Sequence, residues 1–213
     1  MKDNVFFVSG IDTNVGKSYA TGYLAKTWNG QGVRTITQKF IQTGNVGMSE
    51  DIELHRKIMG TGLLPEDESG LTMPEIFTYP CSPHLAAEID HRPIDFDKIE
   101  KATRQLSETY DAVLLEGAGG LMVPLTRDLL TIDYVAQKNY PLIFVTSGKL
   151  GSINHTLLSL EAVTRRGIRL HTVAYNLFPE EDDDIIRRDT EAYISDLLTK
   201  EYPETHFVIV PKL

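Results

Sequence analysis

The chain has 213 residues, 41% hydrophobic and 24% charged, which is ordinary for a globular protein and enough for one α/β domain with a full core. A net charge of -9 argues against broad nucleic-acid binding, which needs a basic face, but leaves room for a local cationic pocket. The lone cysteine, Cys81, excludes an intrachain disulfide and a multi-cysteine metal site and fits a reducing cytoplasm, and no apolar run approaches the roughly 18 residues of a membrane span.

Met1-Lys2-Asp3-Asn4 leads at once into a strand over residues 5–9, which leaves no room for a signal peptide. Gly10-Ile11-Asp12-Thr13-Asn14-Val15-Gly16-Lys17-Ser18 follows, and a helix is predicted over 17–29. Strand, glycine loop and helix in that order build a phosphate cradle: backbone N–H groups and the helix dipole face the anion, Lys17 reaches the β/γ-phosphates and the Ser18 hydroxyl ligates Mg²⁺. The common P-loop has four residues between its first glycine and Gly-Lys-Ser/Thr, whereas here five separate Gly10 from Gly16.

Further along, a second strand is predicted over 33–40, a loop over 41–47, a helix capped by Ser49, and irregular structure over 61–78. Tyr79-Pro80-Cys81-Ser82-Pro83-His84 reads as a rigid turn before a short helix over 85–89, and Asp95 caps a helix to about residue 110. A third strand over 112–115 runs into Glu116-Gly117-Ala118-Gly119-Gly120, and a helix covers 131–138. A fourth strand over 142–146 opens into Ser147-Gly148-Lys149-Leu150-Gly151-Ser152-Ile153-Asn154-His155 and a helix to about 166. A fifth strand over 169–175 ends at Asn176, the acidic run 180–184 caps a helix to about 200, and a last strand covers 207–210.

Alternating strands and helices without repeat or linker predict a single-domain P-loop NTPase-like α/β fold over 1–213, with a mostly parallel sheet and helices on both faces. In such folds ligands bind beyond the carboxyl ends of the strands. The polar and glycine-rich stretches at 10–18, 39–44, 116–120, 148–155 and 176 all follow strand ends, so they converge on one rim.

Glu116 at a strand end suits a Mg²⁺ carboxylate. Asp51 is a second candidate, although an acidic residue in a first helical turn commonly serves the helix dipole. Asp12 either shapes the loop or touches the metal shell. Lys39 offers a second cation for phosphoryl transfer. Thr43 donates to phosphate or substrate, or stabilises its loop. His84 and His155 lack metal-ligand spacing and read as structural, Cys81 as a buried small residue, and Tyr19, Tyr23 and Trp28 as packing residues.

Together these motifs, with Lys39, Thr43, Pro80-Cys81-Ser82-Pro83-His84 and Asn176, resemble the dethiobiotin synthetases, and the two glycine-containing blocks Glu116 to Gly120 and Lys149 to His155 are the most specific. The resemblance spans nearly the full chain. It implies a cytoplasmic homodimer that converts 7,8-diaminononanoate, CO₂ and MgATP into dethiobiotin, ADP and phosphate through a carbamate and a carbamic-phosphoric anhydride. It assigns ATP contacts to Asp12, Thr13, Asn14, Val15, Gly16, Lys17, Ser18 and Asn176, the last beside adenine, and Mg²⁺ to Ser18, Asp51 and Glu116. Lys17 and Lys39 become the catalytic cations, Thr43 a substrate hydroxyl, and Leu150, Gly151, Ser152 and Asn154 the loop that holds the substrate carboxylate across the dimer interface. Neither nucleic acid nor membrane is an expected partner.

The chain departs from the family pattern at Phe40, where many members carry proline, at Ser18, where threonine is commoner, and in stopping at Leu213, where longer relatives continue over the base. Two other classes share the loop. A different P-loop amidoligase, acting on a larger carboxylate substrate, commonly carries a glutaminase domain with a nucleophilic cysteine, and this chain has only Cys81. A partition-type or maturation ATPase usually carries a second lysine early in the loop, and residues 11–14 hold none.

Overall fold

Alternation along the central strands decides the architecture. Phe7, Val113, Leu115, Phe144, Val173 and Tyr175 point into one buried cluster, while their neighbours Val8, Leu114, Ile143, Val145 and Ala174 point into another. Strands apolar on both faces need cover on both faces, and parallel strands joined by helices supply it. The computed structural model describes residues 4–178 and 183–212.

Six strands form the main sheet: β1 (Val5–Gly10), β2 (Thr35–Lys39), β5 (Ala112–Gly120), β6 (Leu142–Ser147), β7 (Leu170–Asn176) and β8 (His206–Val210). Their order is β2-β5-β1-β6-β7-β8, and every pair is parallel. Helix α1 (Lys17–Gly30) covers one face through Ala20, Leu24 and Ala25. The other face is covered by α5 (Phe96–Thr109), α6 (Thr131–Lys138), α7 (Ser152–Arg165) and α8 (Asp184–Glu201), through residues such as Ile99, Val135, Leu160 and Ile194. Trp28 packs edge-on against Phe6 at 5.2 Å, so it is the packing residue its spacing predicts.

Helix α2 (Glu50–Met59) lies against α1, with Gly22 close beneath Ile58, and α4 (Pro83–Ile89) begins two residues earlier than predicted because Pro83 is pre-set for a first helical turn. The segments predicted as a loop and as irregular hold small ordered pieces: β3 (Gln42–Thr43), α3 (Pro65–Glu68) and β4 (Ile76–Phe77). These are too short to show a periodicity, and β3 and β4 exist because they pair with each other in parallel. The third strand also runs past its predicted end, since Gly120 pairs with Gly10 of β1 after a register shift. Asp183 caps α8 by accepting from Ile185 N and Ile186 N, whereas Glu180, Glu181 and Asp182 of the predicted capping run lie outside the described residues. No described helix is long and apolar enough to cross a membrane.

Candidate active site

The carboxyl ends of β1, β2 and β5 open into a cleft of about 850 Å³. The loop after β1 turns into α1 at Gly16, whose φ of 81° is left-handed. A Cβ there would lie 2.1 Å from Asn176 Nδ2, so glycine is required twice over. α1 carries no acidic residue in its first turn, which leaves its positive end available to an anion.

Lys17 is 5% exposed and curls over the loop, donating to Asp12 O at 2.7 Å and Thr13 O at 3.2 Å. Burial, reinforced by nearby Lys39 and opposed by Glu116 and Asp51, pulls its pKa down to about 8. Asp12 turns its carboxylate to Thr13 N at 2.7 Å, a contact that shapes the loop. Val15 is buried beneath it. Asn176 is fully buried, donates to Val15 O at 3.0 Å and accepts from Phe178 N at 3.2 Å, so the end of β7 is tied to the loop.

Next to the loop, side-chain oxygens converge. Ser18 Oγ lies 2.6 Å from Asp51 Oδ1 and 2.9 Å from Glu116 Oε1. Lys39 bridges the same two carboxylates, in an ion pair with Asp51 and at 2.8 Å from Glu116 Oε1, and donates to Gly117 O at 3.2 Å. Asp51 sits in the first turn of α2, but Ser49 caps that helix, which leaves the Asp51 carboxylate for Ser18 and Lys39. Burial alone would raise Glu116, but Lys39 and His55 outweigh it and hold its carboxyl well below the usual range. Burial would likewise lower Lys39, and Glu116 with Asp51 outweigh it and raise it.

This all-oxygen set of one hydroxyl and two ionisable carboxylates is the donor chemistry Mg²⁺ takes. Among the described residues no group of three or more His, Cys, Asp or Glu side chains is arranged to hold a metal, so a Mg²⁺ here would take the rest of its ligands from phosphate oxygens and water.

Thr13, Asn14, Gly16, Lys17, Ser18, Lys39, Thr43, Asp51 and Glu116 all line the cleft. Leu150, Gly151, Ser152 and Asn154 do not. They stand at the start of α7, with Ser152 buried at 3.1 Å from Ser147 Oγ, Asn154 exposed and Leu150 74% exposed. Cys81 corrects its prediction: it is a free, half-buried thiol on the cleft wall, because Pro80 and Pro83 hold their turn against the rim. Neither His84 nor His155 lines the cleft.

Sequence reasoning missed His55, fully buried and 2.8 Å from Glu116 Oε2. The signal was its spacing, one helical turn after Asp51 on the same face of α2. It also missed Arg56, buried in a bidentate pair with Asp67.

Residues 4–212 match the family model described as an AAA domain. The ATP-dependent dethiobiotin synthetase BioD 2 of Pasteurella multocida is 52% identical over 97% of this chain and 96% of its own length. The BioD 2 of Haemophilus influenzae is 58% identical over 84% and 93%, and the BioD of Chlorobaculum tepidum 52% over 90% and 80%. Among solved structures, the MinC:MinD complex of Aquifex aeolicus aligns with a TM-score of 0.56 at 12% identity, over 99% of this chain and 82% of that one. A ParA family ATPase from Chlorobium tepidum aligns at 0.53 and 12%, over 99% and 85%. These two likenesses share the fold with this chain at an identity too low to speak of its reaction. These matches, each over at least four-fifths of both chains, decide the family: the chain belongs to the ATP-dependent dethiobiotin synthetases.

Proposed function

We propose that the cleft carries out the dethiobiotin synthetase reaction on 7,8-diaminononanoate, CO₂ and ATP. One amine adds to CO₂ and loses a proton, giving a carbamate. A carbamate oxygen attacks the γ-phosphorus and ADP departs. The second amine then attacks the carbonyl carbon of the anhydride, phosphate leaves, and the cyclic urea closes. The observation that carries this reading is the convergence of Lys17, Lys39, Ser18, Asp51 and Glu116 on one cleft in a chain 52% identical to a dethiobiotin synthetase along nearly its full length.

In this reading the backbone from Asp12 to Lys17 and the N-terminus of α1 cradle the phosphates, with Asn14 and Thr13 at the edge. Lys17 exchanges the Asp12 and Thr13 carbonyls for the β/γ-phosphates. Ser18, Asp51 and Glu116 hold Mg²⁺, which when bound neutralises phosphate charge. Lys39 stabilises charge building on the carbamate and the transferred phosphoryl group. Thr43 binds the diamine substrate, and Asn176 meets the adenine by giving up its bond to Val15 O. The chemistry belongs largely to the substrate, so the protein's work is positioning and charge neutralisation.

The chain acts as one domain and as a homodimer, with Leu150, Gly151, Ser152 and Asn154 of one subunit meeting the substrate carboxylate in the cleft of the other. Two features support this: that segment does not line its own cleft, and Leu150 and Leu158 stand exposed beside it. The enzyme works in the cytoplasm.

Incubating the pure protein with MgATP, bicarbonate and 7,8-diaminononanoate tests the proposal. Dethiobiotin detected by mass is expected; no product and no diamine-dependent ADP release would overturn it.

A further inference from the structure

Glu116 is fully buried, and its two oxygens face different ways. Oε1 meets Ser18 Oγ and Lys39 Nζ, at 2.9 and 2.8 Å. Oε2 meets His55 Nε2 at 2.8 Å. Behind the ring, His55 Nδ1 lies 3.1 Å from Thr37 Oγ1, which accepts from Arg56 Nη1 at 2.8 Å. Arg56 is gripped in turn by Asp67, through Nε to Oδ2 and Nη2 to Oδ1, both at 2.8 Å. Asp67 also accepts from Leu64 N at 2.7 Å and Thr72 Oγ1 at 2.6 Å, so the far end of the chain is fixed to backbone.

One proton order satisfies every member. Arg56 has only donors, so Thr37 accepts from it and keeps one proton to give. That proton goes to His55 Nδ1, which leaves the ring proton on Nε2, facing an ionised carboxylate that only accepts.

We infer that His55 is a positioning residue: by donating to Oε2 it fixes the Glu116 carboxylate so that Oε1 alone is presented beside Ser18 and Asp51 as a metal ligand. The inference rests on the reading of Glu116 as a metal carboxylate. The physical need is clear. A glutamate has three rotatable bonds, and Mg²⁺ tolerates little departure from its preferred ligand geometry. With Oε2 bare, a buried acceptor would lack a partner and the carboxylate would turn to give both oxygens to Lys39. A partner of this kind on a ligating carboxylate is worth about 10–100-fold in metal affinity.

The test uses Mn²⁺ as probe, with free Mn²⁺ read by electron paramagnetic resonance in the presence of a non-hydrolysable ATP analogue. His55→Leu is expected to raise the Mn²⁺ Kd about 10–100-fold. His55→Gln, whose amide N–H reaches the same oxygen, is expected to restore most of that affinity. Nucleotide binding measured without metal is expected to stay unchanged in both, which a general loss of structure would not allow. Wild-type Mn²⁺ affinity in His55→Leu, together with weakened binding in Glu116→Gln, would overturn the inference and leave the metal reading standing. Wild-type affinity in Glu116→Gln would overturn the metal reading itself. If His55→Leu does not fold, His55→Gln and Thr37→Val carry the test. Affinity kept in the first and lowered in the second is expected, and any other pattern overturns the positioning role.

Discussion

Around β1, β2 and β5 the rim is dense with charge that the subunit answers internally: Lys39 between Asp51 and Glu116, and Glu116 between Lys39, Ser18 and His55. Around β6 and α7 the rim holds no such buried charge: Ser147 meets Ser152 and Thr146 meets Thr156, while Lys149 is exposed beside leucines that face solvent. The difference teaches a division of labour. The charged half is organised in advance, so a phosphate and a cation meet fixed partners and little reorganisation follows. The hydroxyl-rich half offers buried hydroxyls, one exposed cation at Lys149 and apolar surface, which suits the mixed chemistry of an organic carboxylate better than a phosphate.

The charged half is the more fragile, and breaking it gives the largest effect. Glu116→Ala leaves His55 without its acceptor and Lys39 with Asp51 as its remaining carboxylate, and removal of one partner from a buried pair costs up to about 3–5 kcal/mol. Chemical denaturation should register that loss, and turnover should vanish. Lys17→Ala separates chemistry from stability: turnover should fall by about 10²–10³-fold while the circular dichroism spectrum holds and the melting temperature does not drop, since among the described residues Lys17 donates to loop carbonyls and its buried charge opposes folding. Near-normal turnover would remove it from the proposed machinery.

The hydroxyl-rich half is sharpened by complementation. Asn154→Ala should be inactive yet as stable as wild type, because the residue is exposed. Mixing it with Lys17→Ala and allowing subunits to exchange should recover activity, since one of the two sites in each hybrid is then intact. No recovery would confine the site to one subunit.

The smallest effect is a pH dependence peculiar to the charged half. Lys17 titrates near 8 in the fold against an ordinary value of 10.5. Between those values the folded residue is neutral and the unfolded one protonated, so unfolding takes up a proton. Its burial penalty is therefore full below about pH 8 and relieved as pH rises through this window. ATP binding has the opposite sign, because it needs the charged form: affinity should decline as pH rises past about 8, and Lys17→Arg should flatten that decline. An identical slope in both proteins would assign the titration elsewhere.

Much of this was legible in the residues. The apolar runs at β1, β5 and β6, the loop ending in Gly16-Lys17-Ser18, and the carboxylate at Glu116 each carry a local signature, so strand order aside, the fold and the cradle could be read directly. What could not be read depends on contacts between distant positions. β3 and β4 are two residues each and exist by pairing across more than thirty positions. His55 and Arg56 look like ordinary members of a charged helix until α2 is laid against β2 and β5. The Asn176 amide meets the loop from 161 residues away, which no spacing rule anticipates.

The strand order also bears on how the chain is made. β1 is synthesised before the other described strands, yet its two neighbours in the sheet are β5 and β6, and among the described residues β2 pairs only with β5. Until residue 112 has emerged, neither early strand has anything to pair with, and β1 lacks its second neighbour until 147. Such long-range pairing makes folding late and leaves apolar side chains such as Phe7 and Val8 uncovered during synthesis. A nascent chain stalled before β5 should therefore be cut by protease throughout, and one stalled after β6 should show the first protected core.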